Sequence, residues 1–204
     1  MPLISGWMFF RKLSRELKLF IFILGITFIL EYTGYYTSAH DIHNLVIYNL
    51  LYIFQFYFYS LLFRKLLPSN FSKWFIRIIA ALFTIYIGFR IKSVVFPNNT
   101  YNSYIPAFLS LSIILYCILY FNHQLGNMQT TFIYKTPWFW IMTGILLYFS
   151  GSFLILLVTN YFMFRANEYI NDLWTLLFLF DIIKNILIGA GFLFLSNKQW
   201  NKSF

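Results

Sequence analysis

Six long apolar runs, separated by gaps in which Lys and Arg are alternately frequent and nearly absent, constrain this 204-residue chain more than any motif in it. The runs cover 19–36, 45–63, 74–96, 105–121, 138–162 and 173–196. A helix that crosses a bilayer needs roughly 20 mostly apolar residues. Six such helices use nearly the whole chain and leave no soluble domain. The expected fold is therefore an all-α membrane protein, a bundle of six transmembrane helices with short loops, forming one polytopic domain over 1–204.

The basic residues give the orientation. Of the 15 Lys and Arg, eleven lie on one side of the expected bundle. They are Arg11, Lys12, Arg15 and Lys18 before the first run, Arg64, Lys65, Lys73 and Arg77 around the second gap, Lys135 in the fourth gap, and Lys198 and Lys202 at the end. Only Arg165 falls in a gap on the other side. Cytoplasmic loops are enriched in Lys and Arg, so both termini are expected in the cytoplasm and the chain in the cell inner membrane. Tryptophan agrees, since its ring prefers the membrane interface: Trp74, Trp138, Trp140 and Trp174 begin runs, while Trp7 and Trp200 flank the set. A secretory signal peptide is the rival for the first run, but Glu31 and the nearby tyrosines make a poor cleavage region. A retained helix is expected.

Composition excludes a water-soluble class. The chain is 60% hydrophobic, 24% aromatic and only 10% charged, against roughly 25% charged residues in soluble domains. A net charge of +9 raises the question of nucleic acid. The cations border apolar runs instead of forming a hydrophilic domain, so no nucleic-acid partner is expected and the lipid bilayer is the first partner. The single cysteine, Cys117, sits inside an apolar run, which rules out disulfides within the chain and cysteine-based metal sites.

Charges that interrupt the runs mark the candidate site. In the first run only Leu19–Leu30 is charge-free. Twelve residues of helix span about 18 Å, short of a hydrocarbon core of roughly 30 Å, so Glu31 lies within the outer part of the membrane. Ile78–Phe89 is equally short, which draws Arg90 and Lys92 to a similar depth. In the sixth run Asp181 reaches Lys184 at i+3 and Asn185 at i+4 on one helical face. Asn49, in the outer half of the second run, is placed with them. Ionised groups in hydrocarbon cost about 2.5–3.5 kcal/mol each on insertion scales, so they turn to the bundle interior, pair, or meet water. One reading is a structural network joining the first, third and sixth helices. The other is an outward-opening polar pocket. Its five charges sum to one excess positive charge, which points to an anionic small molecule or lipid head group.

Other features carry less chemistry. His40-Asp41-Ile42-His43 offers two histidines without a third fixed ligand, so no metal is assigned. Ser110, Ser112, Ser150 and Ser152 are embedded but have no base nearby in sequence. Gly144, Gly151, Gly189 and Gly191 suit close helix packing, and Gly151 is expected against a neighbouring helix. Asn98-Asn99-Thr100 fits a glycosylation pattern. No catalytic residue and no cofactor follow from any of these.

Several stretches carry a family resemblance. Pro137-Trp138-Phe139-Trp140-Ile141 with Gly144, and Leu147-Tyr148-Phe149-Ser150-Gly151 with Phe153, resemble the fifth-helix signature of a family of small bacterial multi-pass membrane proteins to which no activity is assigned. Pro2-Leu3-Ile4, Arg11-Lys12-Leu13-Ser14 with Leu17-Lys18, and Ile183-Lys184-Asn185-Ile186-Leu187 are similar to further stretches of it. The resemblance covers most of the chain and implies six or seven helices. Similar proteins carry one more helix before the Pro2 region, which makes residues 1–10 either the stub of that helix or an interfacial segment. The resemblance also implies genes placed beside sensor kinases.

The expected role is a binding or sensory accessory module that acts through a membrane signalling partner, since no output domain is visible in the runs. A small transporter or channel component is the alternative, but the inner halves of the charged helices carry no polar path. A lipid-modifying enzyme would need converging acid and base groups, and Glu31 and Asp181 are the sole candidates. Topology is directly measurable. Reporter fusions at Asn201 and within 66–72 should read as cytoplasmic, and fusions within 98–103 as external. A cytoplasmic signal from position 100 would overturn the helix assignment.

Overall fold

A computed structural model describes residues 2–40, 42, 44–95, 103–126, 134, 136–165 and 170–194. Among them the chain forms α1 (Pro2–Met8), a 3-10 turn at Phe10–Lys12, α2 (Arg15–Ala39), α3 (Leu45–Leu66), α4 (Asn70–Val95), α5 (Tyr104–Gly126), α6 (Pro137–Arg165) and α7 (Ile170–Phe194), with no strand among the described residues. The helices α2 to α7 are each long and apolar enough to cross a membrane. The protein is a multi-pass membrane protein whose six apolar helices pack together, and the short α1 is an addition to them.

Helix ends follow local chemistry as well as hydropathy. The first spanning helix begins ahead of Leu19 because Ser14 caps it, accepting the Leu17 backbone N–H at 3.4 Å, with Glu16 in the first turn. At α6, Pro137 opens the helix where its missing N–H is not needed, and Thr136 accepts the Phe139 N–H through its side chain at 3.3 Å. The outward faces stay apolar: Phe22, Leu82, Ile85, Phe89, Leu154 and Ile186 are all exposed. So much contiguous apolar surface is unsuited to water, and it is the surface that contacts lipid.

The helices pack in sequence around the bundle. The pairing of α6 with α7 is the most extensive; α5 packs on α6 and α3, α2 on α3, and α4 leans on α3 and α5. Aromatic contacts join them. Phe56 stacks on Phe83 at 3.8 Å between α3 and α4, and Tyr59 meets Phe149 edge-on at 5.7 Å between α3 and α6. Phe20 of α2 touches Trp138 of α6 and Phe192 of α7, with ring centroids 6.0 and 6.3 Å away. Together with Ile23, Ile141 and Ile188, Phe20 and Phe192 are fully buried and seal the end of the bundle where α2 begins and α7 ends. Hydrogen bonds across helices add to this, as expected where lipid offers no partner. Tyr57 and Thr84 hydroxyls lie 2.8 Å apart, and Ser60 and Tyr116 hydroxyls 3.3 Å.

At that sealed end α1 packs against both α7 and α2. Its Gly6 is buried so closely that a Cβ there would lie 2.8 Å from Ile21 Cδ1 and 3.4 Å from the Phe192 ring. Residues 2–8 are thus a short helix bridging two spanning helices, with Trp7 exposed on its outer side.

The α6–α7 pairing depends on two close approaches. A Cβ at Gly191 would fall 2.8 Å from Ile141 Cγ1 and 2.9 Å from the Pro137 carbonyl oxygen, and one at Gly144 would fall 3.1 Å from the Lys184 carbonyl oxygen. Gly151 faces α7 as well, against the Phe180 ring. Gly189 has open space where its Cβ would be. Gly191→Ala should therefore destabilise the bundle by about 1–3 kcal/mol through overpacking. Gly189→Ala should leave stability unchanged or raised by up to about 1 kcal/mol, the usual helix-propensity gain. Thermal melting of the two variants in the same detergent checks the order, and equal melting curves would remove the close approach as a cause.

Candidate ligand-binding cavity

The stripes that face inward near the α2–α3 connection are unusually polar for spanning helices. On α2 they are Phe28, Glu31, Tyr32 and Tyr35; on α3, Tyr48, Tyr52 and Gln55 recur at helical spacing on one face. They surround a cavity of 690 Å³ closed by Leu109 and Ser110 of α5, Tyr148, Phe149 and Ser152 of α6, and Trp174, Phe178 and Asp181 of α7. The volume falls in the range of roughly 300–1,000 Å³ typical of small-molecule sites. Phe28, Tyr32 and Tyr35 on one edge and Phe178 on the other are all exposed, so the mouth is a slot between α2 and α7. Phe20 and Phe192 lie farther along the bundle, toward the end where α2 begins and α7 ends, and do not line the cavity.

Two carboxylates occupy its wall in different states. Asp181 is paired: one oxygen meets the Lys184 ammonium and the other accepts from Asn185 Nδ2 at 2.8 Å. The Lys184 ammonium also sits 4.0 Å from the centroid of the Tyr148 ring, a cation–π contact. Lys184 is the inner partner, its side chain 12% exposed against 36% for Asp181. Glu31 lies within electrostatic reach of Asp181 and Lys184. It is exposed into the cavity and makes no hydrogen bond or ion pair among the described residues.

The remaining residues expected in this cluster are elsewhere. Asn49 is buried and donates to the Val94 carbonyl at 3.2 Å, tying α3 to the end of α4. Arg90 continues the Phe83 and Tyr86 face of α4 and lines a separate groove with Tyr104, Phe108, Leu111, Phe153 and Leu157. Lys92 is exposed on α4. The cause is packing: α4 leans on α3 and α5, and the stripe that carries Arg90 lies along α5. The five-charge network across the first, third and sixth spanning helices is accordingly not formed. What lines or borders the cavity is Glu31, Asp181 and Lys184. Among the described residues their formal charges sum to one excess negative charge, so the excess positive charge expected from the sequence does not line this cavity.

Sequence reading overlooked the aromatic wall of Tyr32, Tyr35, Tyr48, Tyr52, Tyr148 and Trp174. A signal was present in Tyr48, Tyr52, Gln55 and Tyr59, a polar stripe at i+4, i+3 and i+4 on an otherwise apolar helix. The embedded serines mostly satisfy themselves: Ser110 and Ser112 donate to the carbonyls of Pro106 and Phe108 at 2.8 Å, and Ser110 lies 3.4 Å from Ser152 across α5 and α6. His40 Nδ1 bonds to the Tyr36 carbonyl at 2.8 Å at the end of α2. Asp41, His43, Lys135, Trp200 and the Asn98–Thr100 pattern lie outside the described residues.

The Asp181 pair can be tested apart from any ligand. Asp181→Asn leaves the Lys184 ammonium without its counter-charge in a place of low dielectric and should destabilise the bundle by about 2 kcal/mol. Adding Lys184→Met should restore at least half of the loss, because the unpaired charge is then gone. Melting curves of the single and double variants give the answer, and a double variant less stable than either single would contradict it. No protein-family model, no curated protein and no solved structure matches this chain.

Proposed function

We propose that this chain is a ligand-binding module of the cytoplasmic membrane, with both termini inside the cell and its cavity facing the outer half of the bilayer. The observation that carries this reading is the cavity of 690 Å³, lined by aromatic rings and by two carboxylates of unequal state. A pre-formed concave site with a few polar groups among apolar walls is the usual form of a small-molecule site. The inside-terminus orientation is supported by the distribution of Lys and Arg. The resemblance to bacterial multi-pass proteins supports the same membrane, and a sensory accessory role beside a membrane signalling partner follows from it.

The rival readings have less support. A transporter needs a polar path onward from the cavity, and the described core toward the start of α2 is apolar, with Phe20, Ile23, Ile141, Ile188 and Phe192 all fully buried. A lipid-modifying enzyme needs an acid and a base that converge on one reacting atom. Asp181 is already engaged by Lys184 and Asn185, which leaves Glu31 alone.

Accessibility from each side separates these readings. Gln55 lies on the cavity wall, and the native thiol at Cys117 is buried. In membrane vesicles of opposite orientation, Gln55→Cys should react with an impermeant thiol reagent added at the face of the α2–α3 connection, and should not react from the face of the termini. Reaction from both faces would mean a through path and favour transport. Silence from both would overturn the open cavity.

A further inference from the structure

Resting on that reading of the cavity, the geometry points to its ligand class: we propose that it binds a small organic ammonium ion on an apolar body, with Glu31 as the counter-ion and the surrounding rings as the cage. Three observations converge on this. Glu31 faces the cavity without a hydrogen-bond or ion-pair partner among the described residues, while the neighbouring Asp181 is already paired. A bare carboxylate at this depth is costly, and a ligand cation relieves it. Tyr32, Tyr35, Tyr48 and Tyr52 of α2 and α3 line the same cavity. Aromatic walls with a carboxylate attract ammonium groups electrostatically and tolerate the apolar body that carries them. The protein already seats one ammonium in this way, since Lys184 lies over Tyr148 at 4.0 Å and against Asp181. Glu31 offers the same carboxylate chemistry to a ligand cation.

The slot between Phe28 and Phe178 suits an apolar body entering from the lipid side. A phospholipid is disfavoured, because its phosphate would stand beside two carboxylates in low dielectric. The ligand class is thus a compact cationic amphiphile of a size to fit 690 Å³.

Phenylbutylammonium, phenylbutanol and phenylbutanoate share one apolar body and differ in head charge. With the purified full chain in a non-ionic detergent, equilibrium dialysis should show the ammonium binding about tenfold tighter than the alcohol, and the carboxylate weakest of the three. In Glu31→Gln the preference for the ammonium over the alcohol should be lost. Glu31→Asp should keep the preference for the cation. Equal binding of ammonium and alcohol by the native chain, or a preference that survives Glu31→Gln, overturns the ammonium assignment and leaves the cavity reading standing. Binding of none of the three overturns the cavity reading and this inference with it. The comparison within the native chain needs no variant, so it holds even if Glu31→Gln fails to fold.

Discussion

Hydrocarbon provides no hydrogen-bond partners, and nearly every feature of this chain is a response to that. Backbone groups must close on themselves, so the described residues of the apolar runs are all helical. Side-chain hydroxyls obey the same constraint: Thr33, Thr84, Thr143 and Thr175 each donate to the carbonyl four residues earlier in their own helix. A hydroxyl satisfied in this way needs nothing from a neighbouring helix. The groups that do need a neighbour are the charged ones. Where two meet on one helix, as Asp181 and Lys184 do, the pair and Asn185 form a unit that shares the stem of α7. Glu31 has no such unit on α2.

The helices were legible in the sequence because depth is encoded by length. Charge-free stretches such as Leu19–Leu30 fix where a residue lies along the membrane normal, and the i+3 and i+4 spacing around Asp181 fixes a local pair. Rotation about the helix axis was far less legible. In a soluble protein an apolar stripe marks the buried face; here lipid and core are both apolar, so α4 has no face that its composition separates clearly. Arg90 lines a groove of its own with Tyr104 and Phe108, and nothing in the composition of α4 distinguished that side from the one facing Glu31. Asn49 illustrates the same limit. Its amide was bound to find an acceptor within the bundle, but the Val94 carbonyl of α4 is a main-chain group with no mark in the sequence. The tyrosine stripe of α3 was the exception, since polar residues on one face do betray direction.

Packing and site are connected through small residues. Gly144 and Gly191 let α7 lie close on α6, which brings the Lys184 main chain against Gly144 and its side chain over Tyr148. The ammonium that neutralises Asp181 is therefore set by a backbone approach several residues away from the cavity. With Lys184 committed inward, Glu31 is left as the carboxylate that faces the open space.

The short helix α1 gives the cavity a mechanical asymmetry. It joins α2 and α7 at Gly6, between Ile21 and Phe192, while the opposite ends of these helices form the two edges of the slot. Each helix has 25 residues, or roughly 37 Å of length. Over that length a small angle between two helices becomes a sizeable displacement. A relative tilt of about 5° over such a helix shifts its free end by roughly 3 Å, close to the width of a methyl group. The edges of the slot thus lie at the ends of α2 and α7 remote from α1, where a given angle between the two helices corresponds to the widest separation.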